Sequence, residues 1–419
     1  MRQEVSEMTR LALSWKTKMK GCNVSLIFKV AACGTISLLG SRQKLVPGGF
    51  PMLRRHLMIL ALGALASAAL LGGCNYKGED ATAEKDFAVS ASVKTAIGAA
   101  GSTFVNPIMT KWIGAYEQAH PGTLINYRPI GSGAGIEALK QSTLEIAASD
   151  MPLSEEQLKG MFPVIQVPVV AGAVCAIYNL PELKGPLRLS PSTLAEIFLG
   201  KIISWQDPAI ARDNPGAALP HAAIIVVHRS EGSGTTAIFT SYLTKVNPDW
   251  AKKAGDGLSV RWPVGIAAQG STGVLDFVKQ NVGTIGYAEL NYAADKHLPV
   301  ASIQNRAGNF VAPSSASTTA AVQAFDAELA KDVRASIVDP PASAKDAYPI
   351  SGLSFFLIAA DGSDAVERQA IHDFTQYTIS AGQDLSEGLD YAKLPKPVQE
   401  HALNLLGQMR ANGQPVKPS

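Results

Sequence analysis

Short apolar runs typical of buried strands alternate with helical segments from about residue 95 onward, and this alternation limits the possible folds most strongly. Examples are "TLINYRPI" followed by "GIEALKQST", and "AAIIVVHR" followed by "TTAIFTSYLTKV". Two longer apolar runs, at 164–180 and 347–360, predict extended strands. The alternation therefore predicts an α/β fold, in which ligands bind at the carboxyl ends of the strands.

Three of the predicted strand-to-helix turns are rich in glycine and hydroxyl residues. They are "GAAGSTF" at 98–104, "GSGAG" at 131–135 and "RSEGSGTTAIF" at 229–239. The first N–H groups of a helix lack partners and carry a partial positive charge, so such turns suit a phosphate or sulfate ion. A plain capped helix also accounts for each turn alone, with Ser102 and Thr103 as caps of the first. Three turns together with Arg229, a planar and permanently charged donor, favour an oxyanion site.

Asp150 ends the apolar run "LEIAASD" and is expected at the carboxyl end of a strand, near the same turns. A carboxylate beside a bound anion is tolerable when the anion carries a proton to donate. A protonated phosphate meets this condition and a fully ionised sulfate does not, so Asp150 would select against sulfate. The alternatives are structural: Asp150 caps the helix in "MPLSEEQL", and Arg229 forms a surface ion pair with Glu231.

Charge is distributed unevenly along the chain. Residues 1–74 contain ten Lys and Arg against two Asp and Glu, whereas residues 75–419 contain 27 basic and 33 acidic residues. This second part has no basic run, which argues against nucleic acid as a partner. The seven histidines show no metal-ligand spacing, and Cys175 is the one cysteine after residue 74. We therefore expect neither a metal site nor an internal disulfide.

Residues 52–74 have the layout of a bacterial export signal. Arg54 and Arg55 precede an apolar run at 57–71, which is short for a membrane-spanning helix, and small residues precede Cys74. The ending "LGGC" resembles a lipobox. It predicts a lipoprotein signal peptide over 52–74, with Cys74 as the lipidation site. An ordinary secretory signal with an incidental cysteine is the alternative.

The position of this signal affects the interpretation of the residues around it. A signal peptide belongs at the N-terminus, so residues 1–51 are expected to be a mis-assigned extension, with Met52 or Met58 as the true start. The alternative is a membrane segment at 24–40, against which the central Lys29 argues. Residues 75–94 are polar and predict a tether. We expect a membrane-anchored lipoprotein in the periplasm or at the cell surface.

Eight segments of the chain resemble, in order, the PstS family, the substrate-binding proteins of bacterial phosphate ABC transporters. They are "GSTF", "INYRPIGSGAGIEAL", "AASDMPLSEEQL", "QVPVVAGAV", "LAEIFLGKIISWQDPAI", "VVHRSEGSGTTAIFTSYL", "GVLDFVKQNVGTIGYAE" and "YPISGLSFFLI". Eight ordered segments are far more specific than one motif. The resemblance implies a type II periplasmic-binding-protein fold, with two α/β lobes and a ligand cleft between them. Lobe 1 would comprise 95–172 and 348–419, and lobe 2 would comprise 173–347.

The same resemblance implies which residues bind phosphate. Transferring the family's contacts one by one gives Thr103, Phe104, Ser132, Asp150, Arg229, Ser233, Gly234 and Thr235, with Ser102, Glu231 and Gly232 in supporting positions. Two residues depart from the usual "RRADGSGT". His228 replaces an arginine outside the contact set, and Glu231 replaces an aspartate that orients Arg229.

The function implied by the resemblance is that of a receptor and not of an enzyme. A monomer without cofactor would close over inorganic phosphate and deliver it to the permease subunits of an ABC transporter. One alternative is a secreted phosphatase, for which Ser233 beside Arg229 is the one conceivable nucleophile. The other is a surface or secretion-linked phosphate-binding protein that is not coupled to uptake.

Two further features are interpreted as structural. Trp112, Trp205 and Trp262 have apolar neighbours and are expected to pack in the core. The turn "QGSTG" at 269–273 precedes a predicted helix and is expected to belong to the scaffold rather than to the ligand site.

Overall fold

The structure is a computed structural model and describes residues 93–417. The predictions for residues 1–51, for the signal peptide at 52–74 with Cys74, and for most of the tether at 75–94 lie outside the described residues. Within residues 93–417, the longest and most apolar helices still fall short of what a membrane span requires.

The described chain alternates strands and helices, as the sequence predicted. In chain order, the strands are β1 (Thr95–Gly101), β2 (Thr123–Arg128), β3 (Ile146–Ser149), β4 (Val164–Tyr178), β5 (Arg188–Leu189), β6 (Ile225–Arg229), β7 (Ile266–Ala268), β8 (Thr284–Glu289), β9 (Ser302–Gln304), β10 (Phe310–Val311), β11 (Ser351–Ala359), β12 (Arg410–Ala411) and β13 (Gln414–Pro415).

The α-helices, again in chain order, are α1 (Asn106–Ala119), α2 (Ser132–Lys140), α3 (Glu155–Leu158), α4 (Pro191–Phe198), α5 (Pro208–Asp213), α6 (Gly234–Val246), α7 (Pro248–Lys253), α8 (Gly270–Gln280), α9 (Leu290–Asp295), α10 (Ser315–Gln323), α11 (Asp326–Leu329), α12 (Ala365–Ile379) and α13 (Lys396–Leu406). Two 3₁₀ turns, Ala381–Leu385 and Glu387–Leu389, lie between α12 and α13. The start of α4 shows why hydroxyl residues and proline predict a helix: Ser190 Oγ accepts from the backbone N–H of Thr193, and Pro191 opens the helix.

One mixed sheet organises the fold. Its strand order is β2-β1-β3-β11-β4-β8-β6-β7. Strand β1 runs parallel to β2 and β3, and β6 runs parallel to β7 and β8, while β11 and β4 are antiparallel to their neighbours. The carboxyl ends of β1, β2, β3 and β6 carry the turns and side chains that the sequence singled out. Strands β1, β2 and β3 run opposite to β6; they are joined through β11 to the first part of β4, whereas β6 is joined through β8 to its last part. The carboxyl ends of the two groups therefore point toward each other, which brings the turns together.

Strand β4 joins the two halves of the sheet. Its residues 164–173 pair with β11, and its residues 174–178 pair with β8. The long apolar run at 164–180 therefore forms one extended strand, which is buried along almost its whole length. The change of partner falls next to the predicted lobe boundary at 172/173. The division into two lobes itself stays a prediction.

The segment containing α10 and α11 packs differently from the rest of the predicted second lobe. Four of its apolar residues belong to the same buried cluster as residues of β1, α2, β3 and β11; they are Val322, Leu329, Val333 and Ile337. Burying these side chains against the first half of the sheet removes apolar surface from water there. The segment thus lies with the predicted lobe 1, although its sequence position lies within 173–347.

The three tryptophans considered above and Cys175, the one cysteine among residues 93–417, have the packing roles expected of them. Trp112 and Trp205 are fully buried, and their indole N–H groups donate to the carbonyls of Gly382 at 2.8 Å and Gly283 at 3.0 Å. Trp262 is half-buried and stacks on Tyr287 with ring centroids 5.6 Å apart. Cys175 is free and fully buried in β4.

Candidate anion-binding site

The first two glycine-rich turns meet through their backbones. The N–H of Gly131 donates to the carbonyl of Gly101 at 2.7 Å, which joins the turn before α2 to the end of β1. A Cβ atom on Gly135 would lie 2.6 Å from the Cα of Gly101, closer than real Cβ atoms approach. Glycine is therefore required for this approach, which accounts for the composition of "GSGAG".

The second and third turns also meet. The N–H of Gly133 donates to the carbonyl of Gly232 at 3.0 Å, and the N–H of Gly234 donates to the hydroxyl of Ser132 at 3.1 Å. Ser132 and Gly234 are the first residues of α2 and α6. The three turns predicted from sequence thus converge, with two helix N-termini side by side.

Asp150 lies where these turns meet. Its side chain is buried, and both carboxylate oxygens accept from the hydroxyl of Ser102, at 2.6 and 2.7 Å. The hydroxyl of Ser354 on β11 donates to Oδ1, and the hydroxyl of Ser132 lies 3.5 Å from Oδ2. Gly234 approaches from the other side, since its added Cβ would lie 2.4 Å from Oδ2. The Asp150 carboxylate thus lies at the point where the three turns meet.

Burial raises the pKa of Asp150 to about 7. The hydroxyls of Ser102 and Ser354 act in the opposite direction, the charge of Glu289 adds to the rise, and Arg229 lowers it. A carboxyl group with this pKa exchanges a proton near neutrality. In its ionised form it can accept a hydrogen bond from a proton-bearing anion.

Two capping interpretations from the sequence are wrong. Asp150 does not cap the helix in "MPLSEEQL", because Ser154 and Gln157 form the capping box of α3. Ser102 and Thr103 do not cap α1 by their side chains, because that helix begins at Asn106 after an N-cap residue, Val105, without a side-chain cap. Ser102 contacts Asp150 instead.

Arg229 ends β6 and is buried, so it is not a surface residue. Its Nε donates to Oε1 of Glu231 at 2.7 Å, and its Nη2 contacts the same oxygen. Its Nη1 lies 3.0 Å from the hydroxyl of Ser271 and 3.4 Å from that of Thr235. The longer side chain of Glu231 therefore still orients the guanidinium, although an aspartate is usual at this position in the family that the sequence resembles.

Glu231 connects Arg229 to the fourth glycine turn. Its carboxylate also accepts from the backbone N–H of Gly270 at 3.1 Å. Burial acts to raise the pKa of Glu231, but Arg229 and the N–H of Gly270 outweigh it, so the pKa lies below its usual value. Glu231 is thus an ionised partner for the arginine.

The remaining predicted residues are close to the same point. Ser233 is buried and accepts from the N–H of Thr236 as the N-cap of α6, which leaves its hydroxyl proton free to donate elsewhere. Phe104 is fully buried, and its carbonyl accepts from the hydroxyl of Tyr391. Thr103 Oγ1 lies 2.9 Å from Ser271 Oγ. Sequence reasoning therefore placed its candidate residues in one location.

Three residues of the location were missed. Ser271 in "QGSTG" was assigned to the scaffold, yet its buried hydroxyl contacts Arg229, Thr103 and Glu289. Glu289 ends β8 after an apolar run, the same signal that identified Asp150, and this signal would have found it. Ser354 is one of two serines in the apolar strand β11, and local sequence does not distinguish it from a core residue.

His228 takes part in packing beside the site. Its ring stacks on Trp262 with centroids 4.7 Å apart, and its Nδ1 lies 3.0 Å from the carbonyl of Arg229. Burial lowers the pKa of His228. The residue is therefore a neutral ring next to the arginine.

Comparisons with known proteins identify the family of this chain. A family model described as the PBP superfamily domain matches residues 88–381. A phosphate-binding protein PstS from Xylella fastidiosa (strain Temecula1) is 37% identical, with 81% of this chain and 95% of that protein covered. The PstS of Pasteurella multocida is 40% identical, with 74% and 90% covered. The chain belongs to the PstS family of phosphate-binding proteins.

Solved structures show that the fold is that of this family. The phosphate-binding protein of Stenotrophomonas maltophilia has a TM-score of 0.56 at 19% identity, with 76% of this chain and 96% of that chain covered. A high-affinity periplasmic phosphate-binding protein bound with phosphate, PfluDING, has a TM-score of 0.58 at 23% identity, with 73% and 92% covered. The periplasmic-binding-protein fold predicted from sequence is confirmed. The PstS family consists of binding proteins, which agrees with the expectation that the chain is not an enzyme.

The chemistry available at this PstS site is hydrogen bonding to an anion. Among residues 93–417, no three His, Cys, Asp or Glu side chains are grouped so that they could hold a metal ion. The groups that converge are backbone N–H donors at helix starts, hydroxyls, one guanidinium and the Asp150 carboxylate. Such a set has the donors that can replace the hydration shell of an oxyanion.

Proposed function

We propose that the protein binds inorganic phosphate outside the cytoplasm and delivers it to the permease of an ABC transporter, by closure of two lobes over the anion. The observation that carries the proposal is the position of Asp150. Its buried carboxylate lies among the N-termini of α2 and α6, which favour an anion, and beside hydroxyls of several strands and turns. A proton-bearing anion can accept hydrogen bonds from the helix N-termini and hydroxyls and can donate its proton to Asp150.

Phosphate fits this arrangement better than sulfate. Near neutral pH phosphate carries one or two protons and can donate to Asp150, while the oxygens without protons accept from N–H groups, hydroxyls and Arg229. Sulfate has no proton to donate, so the ionised Asp150 carboxylate would lack a partner and would face the negative charge of the sulfate. Removing one partner of a buried charged pair costs about 3–5 kcal/mol. This energy corresponds to a selectivity of roughly a hundredfold to a thousandfold or more.

The proposed phosphate contacts are the set that the sequence predicted. They are Thr103, Phe104, Ser132, Asp150, Arg229, Ser233, Gly234 and Thr235, supported by Ser102, Glu231 and Gly232. Their closeness in the fold supports the set, because six of them come from segments that meet within hydrogen-bonding distance. Three of these segments are the carboxyl ends of β1, β3 and β6, and strand carboxyl ends are where ligands bind in an α/β fold.

Binding without reaction is the expected outcome at this site. Ser233, the nucleophile that a phosphatase would need, serves as the N-cap of α6, and its oxygen accepts from a backbone N–H. A serine oxygen in this role is not activated, because activation requires a base that removes its proton. The site therefore holds the anion until the lobes open.

The route of delivery and the location of the protein are inferred from the sequence. Cys74 at the end of 52–74 would be lipidated, which anchors the protein at the outer surface of a membrane as a monomer next to the permease. Labelling cells with a fatty-acid analogue tests this: the wild type should carry the label and Cys74→Ser should not. Equal labelling of the two proteins would contradict the anchor.

Transport is tested in cells. Deleting the gene should reduce uptake of radiolabelled phosphate at low external phosphate, and the wild-type gene should restore it. Normal uptake in the deletion strain, combined with phosphate binding by the isolated protein, would favour a surface or secretion-linked role instead. Absence of phosphate binding by the isolated protein would contradict the proposal as a whole.

A further inference from the structure

Glu289 is a second buried acid at the site, and it is not one of the proposed phosphate contacts. It ends β8 and is 1% exposed. Its Oε1 accepts from the hydroxyl of Thr235 at 2.6 Å and from that of Ser271 at 2.9 Å. Its Oε2 is buried, and no described residue offers it a hydrogen bond. Because a buried carboxylate is costly to maintain, its presence here points to a role.

The charge of Glu289 determines the direction of the surrounding hydrogen bonds. An ionised carboxylate only accepts, so Thr235 and Ser271 must each donate their single hydroxyl proton to it. Their oxygens then face Arg229 Nη1 as acceptors, at 3.4 and 3.0 Å. Since the proton of Ser271 is committed to Glu289, Thr103 must donate across the 2.9 Å contact between the two hydroxyls. One carboxylate thus orients five hydrogen bonds, two that it accepts and three among its neighbours.

The guanidinium of Arg229 is consequently fixed along both of its edges. Nε and Nη2 meet Glu231 directly. Nη1 meets two hydroxyls that Glu289 has turned toward it. An arginine with a free edge would rotate and lose part of the donor geometry that makes it a specific partner for an oxyanion.

We propose that Glu289 is a positioning residue of the anion site, which acts through Thr235 and Ser271 to hold Arg229 and Thr103 in place for the ligand. The proposal rests on the proposed binding of phosphate. It also assigns Thr235 a definite mode of contact: its hydroxyl proton belongs to Glu289, so Thr235 meets the ligand through its backbone N–H at the start of α6.

The test is a double-mutant cycle in the full chain, with inorganic phosphate as the ligand in calorimetry. Glu289→Gln and Ser271→Ala should each lower the affinity for phosphate by about tenfold, the effect of one charge-assisted hydrogen bond. Because Glu289 acts partly through Ser271, the double variant should fall well short of the roughly hundredfold loss that independent effects would give. Losses that multiply, or single variants that bind like the wild type, would overturn the proposal.

Two matched controls make the same substitutions away from the site. In Glu117→Gln the altered carboxylate accepts from the backbone N–H of Ile125 at 2.7 Å, and in Ser386→Ala the removed hydroxyl is buried with no partner among the described residues. Both should keep the wild-type affinity. Cooperative unfolding shows whether Glu289→Gln is folded. If it is not, Ser271→Ala and Thr235→Val test the proposal instead: a loss of phosphate affinity of about tenfold in each supports it, and wild-type affinity in either variant overturns it.

A measurement without ligand separates this inference from the proposed function. In the ligand-free full chain, rotation about the Nε–Cζ bond of Arg229, followed by ¹⁵N NMR, should be severalfold faster in Glu289→Gln than in the wild type. Equal rates would overturn the positioning role even if the wild type binds phosphate. A wild type that does not bind phosphate would instead contradict the proposed function, while the rotation rates would still test Glu289.

Discussion

Gly234 lies directly against the carboxylate of Asp150: a Cβ atom added to the glycine would be 2.4 Å from Oδ2 and 2.6 Å from the Cβ of Asp150. The same added atom would lie 2.6 Å from the hydroxyl of Ser132. Two helix starts and a strand end therefore meet with no space for a methyl group. This contact brings the donors of α2 and α6 to the acid.

Gly234→Ala is expected to weaken phosphate binding by at least about tenfold, which corresponds to about 1.4 kcal/mol. The added methyl group would overlap Asp150 and Ser132, so α6 must move away from both residues. The measurement is calorimetry on both proteins. Gly114→Ala is the control, since its Cβ meets nothing within 4 Å in the helix α1 and alanine is the better helix former. Wild-type affinity in Gly234→Ala would show that the three segments do not form the binding surface.

Arg229→Lys is expected to lower the affinity for phosphate by about a hundredfold. Lysine cannot form the paired contact that Nε and Nη2 make with Glu231, so it leaves that acid without its fixed partner and the ligand without a planar donor. Each charge-assisted bond lost contributes about 1.5–3 kcal/mol. Equilibrium binding of radiolabelled phosphate measures the change. The partly exposed Arg334, which pairs with Asp332 and Glu155, provides the control: Arg334→Lys should bind normally.

Asp150 makes the stability of the ligand-free protein depend on pH. Its pKa is raised from the ordinary 3.8 to about 7, so the folded protein holds this proton more tightly than the unfolded chain does. The stability contributed is complete below about pH 4 and is lost as the pH rises through about 7, with a slope of at most about 1.4 kcal/mol per pH unit.

Thermal unfolding of the wild type and Asp150→Asn between about pH 4.5 and about pH 8 measures this contribution as the difference between the two proteins, because this range covers most of the interval between the two pKa values and extends above the raised one. The wild type should lose stability relative to the variant as the pH rises. Parallel curves for the two proteins would mean that the carboxyl group titrates in the folded state as it does in the unfolded chain.

Local patterns in the sequence predicted the fold class and the meeting of the glycine-rich turns with Asp150 for a physical reason, whereas the individual phosphate contacts were implied by the resemblance to the family and stay a prediction. Alternating strands and helices place the glycine-rich turns at the carboxyl ends of strands, and glycine permits the backbone approach that Gly101 makes with Gly135 and Gly133 makes with Gly232. Asp150 was found because an acidic residue that ends an apolar strand is expected at the sheet edge where ligands bind. These inferences depend only on residues near one another in the sequence.

The parts that sequence reasoning missed depend on contacts between distant segments. Ser271 contacts Arg229, and Glu289 contacts Thr235 and Ser271, across segments that are distant in the sequence. Local sequence patterns do not reveal contacts of this kind. Residues 317–333, "STTAAVQAFDAELAKDV", have the pattern of one continuous helix, but the structure divides this stretch into α10 and α11, because Phe325 between them leaves the helical conformation, with φ −120° and ψ 18°. Apolar periodicity alone does not reveal such a break.

The most direct measurement is a calorimetric titration of the wild type and Asp150→Asn with phosphate and with sulfate at neutral pH. The wild type should bind phosphate and give no binding heat with sulfate. In Asp150→Asn the preference for phosphate should fall by at least about tenfold, because an amide offers a donor and no longer carries the charge that repels sulfate. A wild type that binds both anions equally, or a variant that keeps the full preference, would contradict the role of Asp150 as the residue that recognises a proton on the ligand.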